Sequence, residues 1–66
     1  MQVIVNGEPK ELPALCTVAQ ALMEVRAAQL PCAVEVNERL VQHAERGRAQ
    51  LQEGDRVEIV TLVGGG

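Results

Sequence analysis

The sequence predicts an α+β roll, a mixed sheet of four to five strands with one main helix packed on one face. Three observations predict it. Alternating apolar runs open and close the 66-residue chain, an Asn-Gly pair turns the first run back on itself, and one stretch between them repeats apolar residues at helical spacing. A chain of this length makes one small domain with a marginal core, so both sheet faces cannot be covered by its own residues.

In "MQVIVN", Met1, Val3 and Val5 share one face while Gln2, Ile4 and Asn6 share the other, which predicts a strand over residues 1–6. Asn6-Gly7 tolerates the positive φ of a tight hairpin, so a second strand is expected over residues 8–12, held to a sheet edge by Pro9. In "TVAQALMEVRAAQL", Val18, Ala21, Leu22, Val25 and Ala28 recur every three or four residues. Thr17 and Gln20 fit a capping box and Pro31 supplies a stop, so the helix is predicted over residues 17–30. Alternation returns in "CAVEVNERLV", with Val34 and Val36 inward, Glu35 and Asn37 outward, and "NER" turning into a short strand at Leu40 and Val41. "QHAERGRAQ" has no sustained period and reads as a loop with one helical turn. A turn at Glu53, Gly54 and Asp55 then leads into the last strand, in which the charges of Arg56 and Glu58 point those residues outward. Val57 and Ile59 therefore point in, and Val60 and Leu62 out. The first and last strands are the longest and most apolar, so they should pair in the sheet centre.

Composition narrows the function. Six basic and nine acidic residues leave a net charge of −3, and the chain has no Phe, Tyr or Trp, which argues against a nucleic-acid module and favours a partner with a basic docking surface. The N-terminus lacks a basic segment followed by a long apolar one, and charges interrupt every apolar run, so a cytoplasmic location is expected. Cys16 and Cys32 have neither CxxC spacing nor paired histidines and read as buried small hydrophobes. A bond between them is not expected, because a helix over residues 17–30 would hold its ends about 20 Å apart. His43, the single histidine, reads as a surface residue, and the scattered carboxylates as a solvated surface. No catalytic side chain, metal site or cofactor site is expected.

The end "TLVGGG" stands apart. Glycine loses the most backbone entropy on ordering and offers nothing to pack, so Gly64, Gly65 and Gly66 add no stability as part of a fold. A domain over residues 1–63 followed by a flexible tail over 64–66 is the simplest division. Without Cβ atoms such a tail can thread a narrow channel and present the carboxylate of Gly66 to another protein.

With "MQVIVNGEPKELP", "TVAQAL", "CAVEVNERLV", "LQEGDRVEIV" and the final glycines in this order, the whole chain resembles the ThiS family of ubiquitin-like sulfur carriers in thiamine biosynthesis. The resemblance implies a β-grasp fold and a non-catalytic carrier. An ATP-dependent adenylating enzyme (ThiF-like) would activate the carboxylate of Gly66. Sulfur from a donor such as a cysteine desulfurase would convert it to a thiocarboxylate, and thiazole synthase (ThiG-like) would consume that sulfur. Gly64 and Gly65 would then be the access residues of the tail. The alternatives are a carrier like the small subunit of molybdopterin synthase, which generally is longer and has aromatic residues, and a β-grasp module that only binds. Strand phase adds a docking expectation: Ile4, Val60 and Leu62 share the outward face, and would form one contiguous apolar patch if the first and last strands are neighbours.

Overall fold

The computed structural model describes residues 1–61. Five strands, β1 (Gln2–Val5), β2 (Glu8–Glu11), β3 (Cys32–Val36), β4 (Arg39–Leu40) and β5 (Arg56–Thr61), form one mixed sheet in the order β2-β1-β5-β3-β4. The central β1–β5 pair is parallel and the other neighbours are antiparallel. One helix, α1 (Val18–Glu24), lies against the inner face, and a short 3-10 turn (His43–Glu45) occupies the segment expected to be loop with a single helical turn.

Strand phase follows the alternation. Val3, Val5, Val34, Val57 and Ile59 are buried on the inner face and meet Val18, Ala21 and Leu22 of α1, with Leu12, Cys16, Ala27 and Leu51 closing the margins. All twelve of these buried core residues are apolar, and no charged or polar residue is buried with them among the described residues. The hairpin turns use positive φ: Asn6 at 49° with Gly7 at 83°, residues that tolerate it, and Asn37 at 51° with Glu38 at 70°, where glutamate takes a conformation glycine adopts more readily.

The helix begins as predicted and ends early. Thr17 is its N-cap: the Gln20 amide donates to Thr17 Oγ1 at 3.2 Å, and the Thr17 amide donates to Gln20 Oε1 at 2.9 Å. The helix ends at Glu24, with the C-cap Val25 amide donating the last helical bond to the Ala21 carbonyl at 3.1 Å, well before the predicted end at residue 30. Arg26 takes φ 62°, its amide donates to the Met23 carbonyl at 3.1 Å, and the Ala27 amide donates to the Leu22 carbonyl at 2.7 Å. Those two bonds are a Schellman cap with arginine at the left-handed position that glycine usually fills. The cap turns Ala27 into the core and leaves Ala28, the next residue of the helical stripe, exposed. A seven-residue helix is only about 10 Å long, so the span argument against a Cys16–Cys32 bond does not hold as stated. Both thiols are free, Cys16 buried and Cys32 half-buried.

Candidate functional site

The candidate site is the outer sheet face together with the end of β5. The proposed attachment and access residues Gly64, Gly65 and Gly66, and Leu62 of the expected docking patch, lie outside the described residues. What the structure defines is the platform up to Thr61.

Two asparagines hold β5 in that platform. Backbone pairing of β1 with β5 runs through the amide of Ile4 to the Asp55 carbonyl at 2.9 Å and the amide of Asn6 to the Val57 carbonyl at 2.8 Å. There β1 turns away into its hairpin, and the Asn6 side chain continues the ladder. The Ile59 amide donates to Asn6 Oδ1 at 2.7 Å, and Asn6 Nδ2 donates to the Ile59 carbonyl at 3.2 Å. On the other side Asn37 does the same at the start of β5. The Arg56 amide donates to Asn37 Oδ1 at 3.0 Å, the Asn37 amide donates to the Arg56 carbonyl at 2.7 Å, and Asn37 Nδ2 donates to Asp55 Oδ1 at 3.0 Å. Each asparagine sits at positive φ, a conformation its short amide tolerates better than most side chains do. The sequence marked both as turn residues, and nothing in their spacing showed that their side chains reach β5.

The outer face carries Ile4 half-buried and Val60 exposed at 57%. Register separates them. Ile4 pairs across with Pro9 on β2 and Arg56 on β5, whereas Val60 pairs with Ala33 on β3. Val60 is four residues along β5 from the Ile4 level at Arg56, about 13 Å of strand, with Glu58 between. The contiguous Ile4–Val60 patch is therefore corrected: the two share a face and are not neighbours. The apolar surface beside Val60 is Ala33. Beyond it, Glu58 stands opposite Glu35, which stands opposite Leu40, exposed at 60%. Ala33 and Leu40 were missed, because the outward phase of Ala33 was legible while its place beside Val60 required the β3–β5 register.

Burial pushes the Cys16 thiol above its ordinary range, with the negative charge of Glu24 adding to the effect and the N-terminal ammonium opposing it. A buried, neutral thiol is a packing group rather than a nucleophile. His43 lies exposed in the 3-10 turn. Among the described residues no three His, Cys, Asp or Glu side chains converge in a way that could hold a metal ion, and no helix is long and apolar enough to cross a membrane.

The comparisons with known proteins agree with this architecture. A crystal structure of a thiamine biosynthesis protein (ThiS) from Geobacter metallireducens matches over the full length of both chains, with TM-score 0.83 and 29% identity. The mixed five-stranded sheet with one helix is thus the β-grasp fold. Thiazole synthase of Magnetococcus marinus is 38% identical over all 66 residues, and thiazole synthase of Paramagnetospirillum magneticum 33% identical over the same span. The chain covers 20% of each of these two proteins, so it spans about a fifth of the length of the curated relatives it matches. The model of the ThiS family matches residues 3–66, and on that match across nearly the whole sequence the chain belongs to the ThiS family.

Proposed function

We propose that the protein is a sulfur carrier for thiazole formation, with the carboxylate of Gly66 as the attachment point. The observation that carries this reading is the family match, which runs through the glycine end as well as the folded domain. A carboxylate is a poor electrophile. Attack of its oxygen on the α-phosphorus of ATP, with pyrophosphate leaving, makes an acyl adenylate. The terminal sulfur of a persulfide on a donor such as a cysteine desulfurase then displaces AMP at the carbonyl carbon to give an acyl disulfide. A thiol attacks the donor's sulfur, forming a disulfide with it and releasing the thiocarboxylate, which is the nucleophile offered to thiazole synthase. Each reaction belongs to a partner. The carrier's part is to be recognised and to extend its end into successive active sites, with Gly64 and Gly65 narrow enough to enter.

The β5 platform suits that part. Fixing β5 through Asn6, Asn37 and β3 sets Thr61 relative to the outer face around Val60, on which a partner would seat. Two relatives named thiazole synthase contain a segment like this chain, which supports thiazole synthase as a partner.

Intact-mass measurement of the protein isolated from its native host tests the reading. A species with a Gly66 C-terminus and one sulfur in place of one oxygen is expected. Mass that continues past Gly66 in every species, or deletion of Gly66 with no loss of thiazole formation, would exclude Gly66 as the attachment point.

A further inference from the structure

We propose that the partner surface that seats on the outer sheet face brings a basic side chain, a guanidinium or an ammonium, to the rung formed by Glu35 and Glu58, and that this partner is thiazole synthase. The inference rests on the carrier reading above and specifies the chemistry of its docking face.

Glu35 and Glu58 are directly opposed across the antiparallel β3–β5 pair, and both are exposed. At such a rung the Cβ atoms are about 5 Å apart, and like charges there destabilise the sheet. The chain does not relieve the repulsion itself. The ion pairs among the described residues are the Met1 ammonium with Glu11 and Arg48 with Glu45, both elsewhere. Arg56, two residues back on the same face of β5, forms no such pair with either carboxylate. A chain already at −3 therefore holds two carboxylates side by side with no ion-pair partner among the described residues.

Their neighbours point to what compensates. Val60 and Ala33 form the next outward-facing row along the strands from the rung, and Leu40 continues the rung laterally beside Glu35. Val60 and Leu40 are more than half exposed, so an apolar partner surface gains by covering both. A surface that spans both passes over Glu35 and meets the rung beside it, and burying unpaired carboxylates is strongly unfavourable. One cation set between the two removes that penalty and the repulsion together, and a guanidinium can bond both carboxylates at once. The apolar flanks and the acidic centre thus specify one complementary surface, apolar with a central positive charge.

The test measures binding of thiazole synthase from the same genome to wild type and to Glu58→Gln, Glu58→Lys and Val60→Asp, at two salt concentrations, beside a melting curve for each. Glu58→Gln should raise the melting temperature by about 1–8 °C, because repulsion is lost, while weakening binding about tenfold and flattening its salt dependence. Glu58→Lys places a cation opposite Glu35 within the chain and should melt no lower than wild type while weakening binding further. Val60→Asp should weaken binding through the apolar contact. Binding of Glu58→Lys within twofold of wild type would overturn the inference of a partner cation. If Val60→Asp also bound normally, or if wild type did not bind, the docking reading itself would fail.

Discussion

Removing the Asn6 carboxamide should loosen β5 near its end, and two substitutions divide the effect into its causes. Asn6→Gly keeps the φ of 49° without strain and loses the two bonds to Ile59. At about 1 kcal/mol for each bond the loss is about 2 kcal/mol. For a domain of this size that lowers the melting temperature by about 8–16 °C. Asn6→Ala loses the same bonds and adds about 1 kcal/mol for a left-handed alanine, a fall of about 12–24 °C. Hydrogen exchange read by NMR supplies the local measure. The Ile59 amide, whose acceptor is Asn6 Oδ1, should lose protection in both variants beyond the loss seen at Val3 or Leu22, which lie elsewhere in the core. If Asn6→Gly melts within about 2 °C of wild type, the side chain is not continuing the ladder. If the two variants melt together, the backbone conformation at residue 6 carries no strain.

Other positions give independent tests. Arg26→Gly relieves a left-handed arginine at the helix cap and should stabilise the domain by about 0.5–1 kcal/mol, read as a rise in melting temperature. Glu38→Gly, in the Asn37-Glu38 turn, should act in the same direction and by a similar amount, and its effect should add to that of Arg26→Gly if the sites are independent. Alkylation of the folded protein at mildly alkaline pH, mapped by mass spectrometry, should label Cys32 well before Cys16, which is buried and held neutral. Because the folded Cys16 thiol ionises above the usual thiol range, stability should fall as pH rises through that range, where only the unfolded thiol loses its proton; Cys16→Ala should lack this component. Gly65→Ala should leave the melting curve unchanged and sharply reduce adenylation by the cognate enzyme, and normal adenylation would remove the steric account of the glycines.

The limits of the sequence reading follow from what each pattern encodes. Alternation states which face a residue takes, and the inward valines of all three long strands were legible from it. The capping box was legible because Thr17 and Gln20 are the groups that make the bonds. The helix end was not, because the stripe continues through Ala28 while the stop is made by an arginine in a conformation that sequence readers assign to glycine. Lateral neighbours were the other failure. Phase is a property of one strand, whereas register is fixed by turn lengths and by bonds such as those from Asn6 and Asn37 to β5.

That distinction relocates the proposed docking surface and yields a ranking that phase alone could not supply. With Ile4 level with Arg56, and Val60 level with Ala33, a partner centred at the end of β5 covers Val60, Ala33 and the glutamate rung before it reaches Ile4. Ile4 is half-buried beside Pro9 and so offers less surface than Val60. Val60→Glu should therefore weaken binding to thiazole synthase and to the adenylating enzyme by more than Ile4→Glu does, with Val60→Glu melting near wild type because its side chain already faces water. Titration of both partners with both variants decides it. A larger loss from Ile4→Glu, at equal stability, would move the partner's footprint onto the β1–β5 half of the sheet and would refute the placement derived from register.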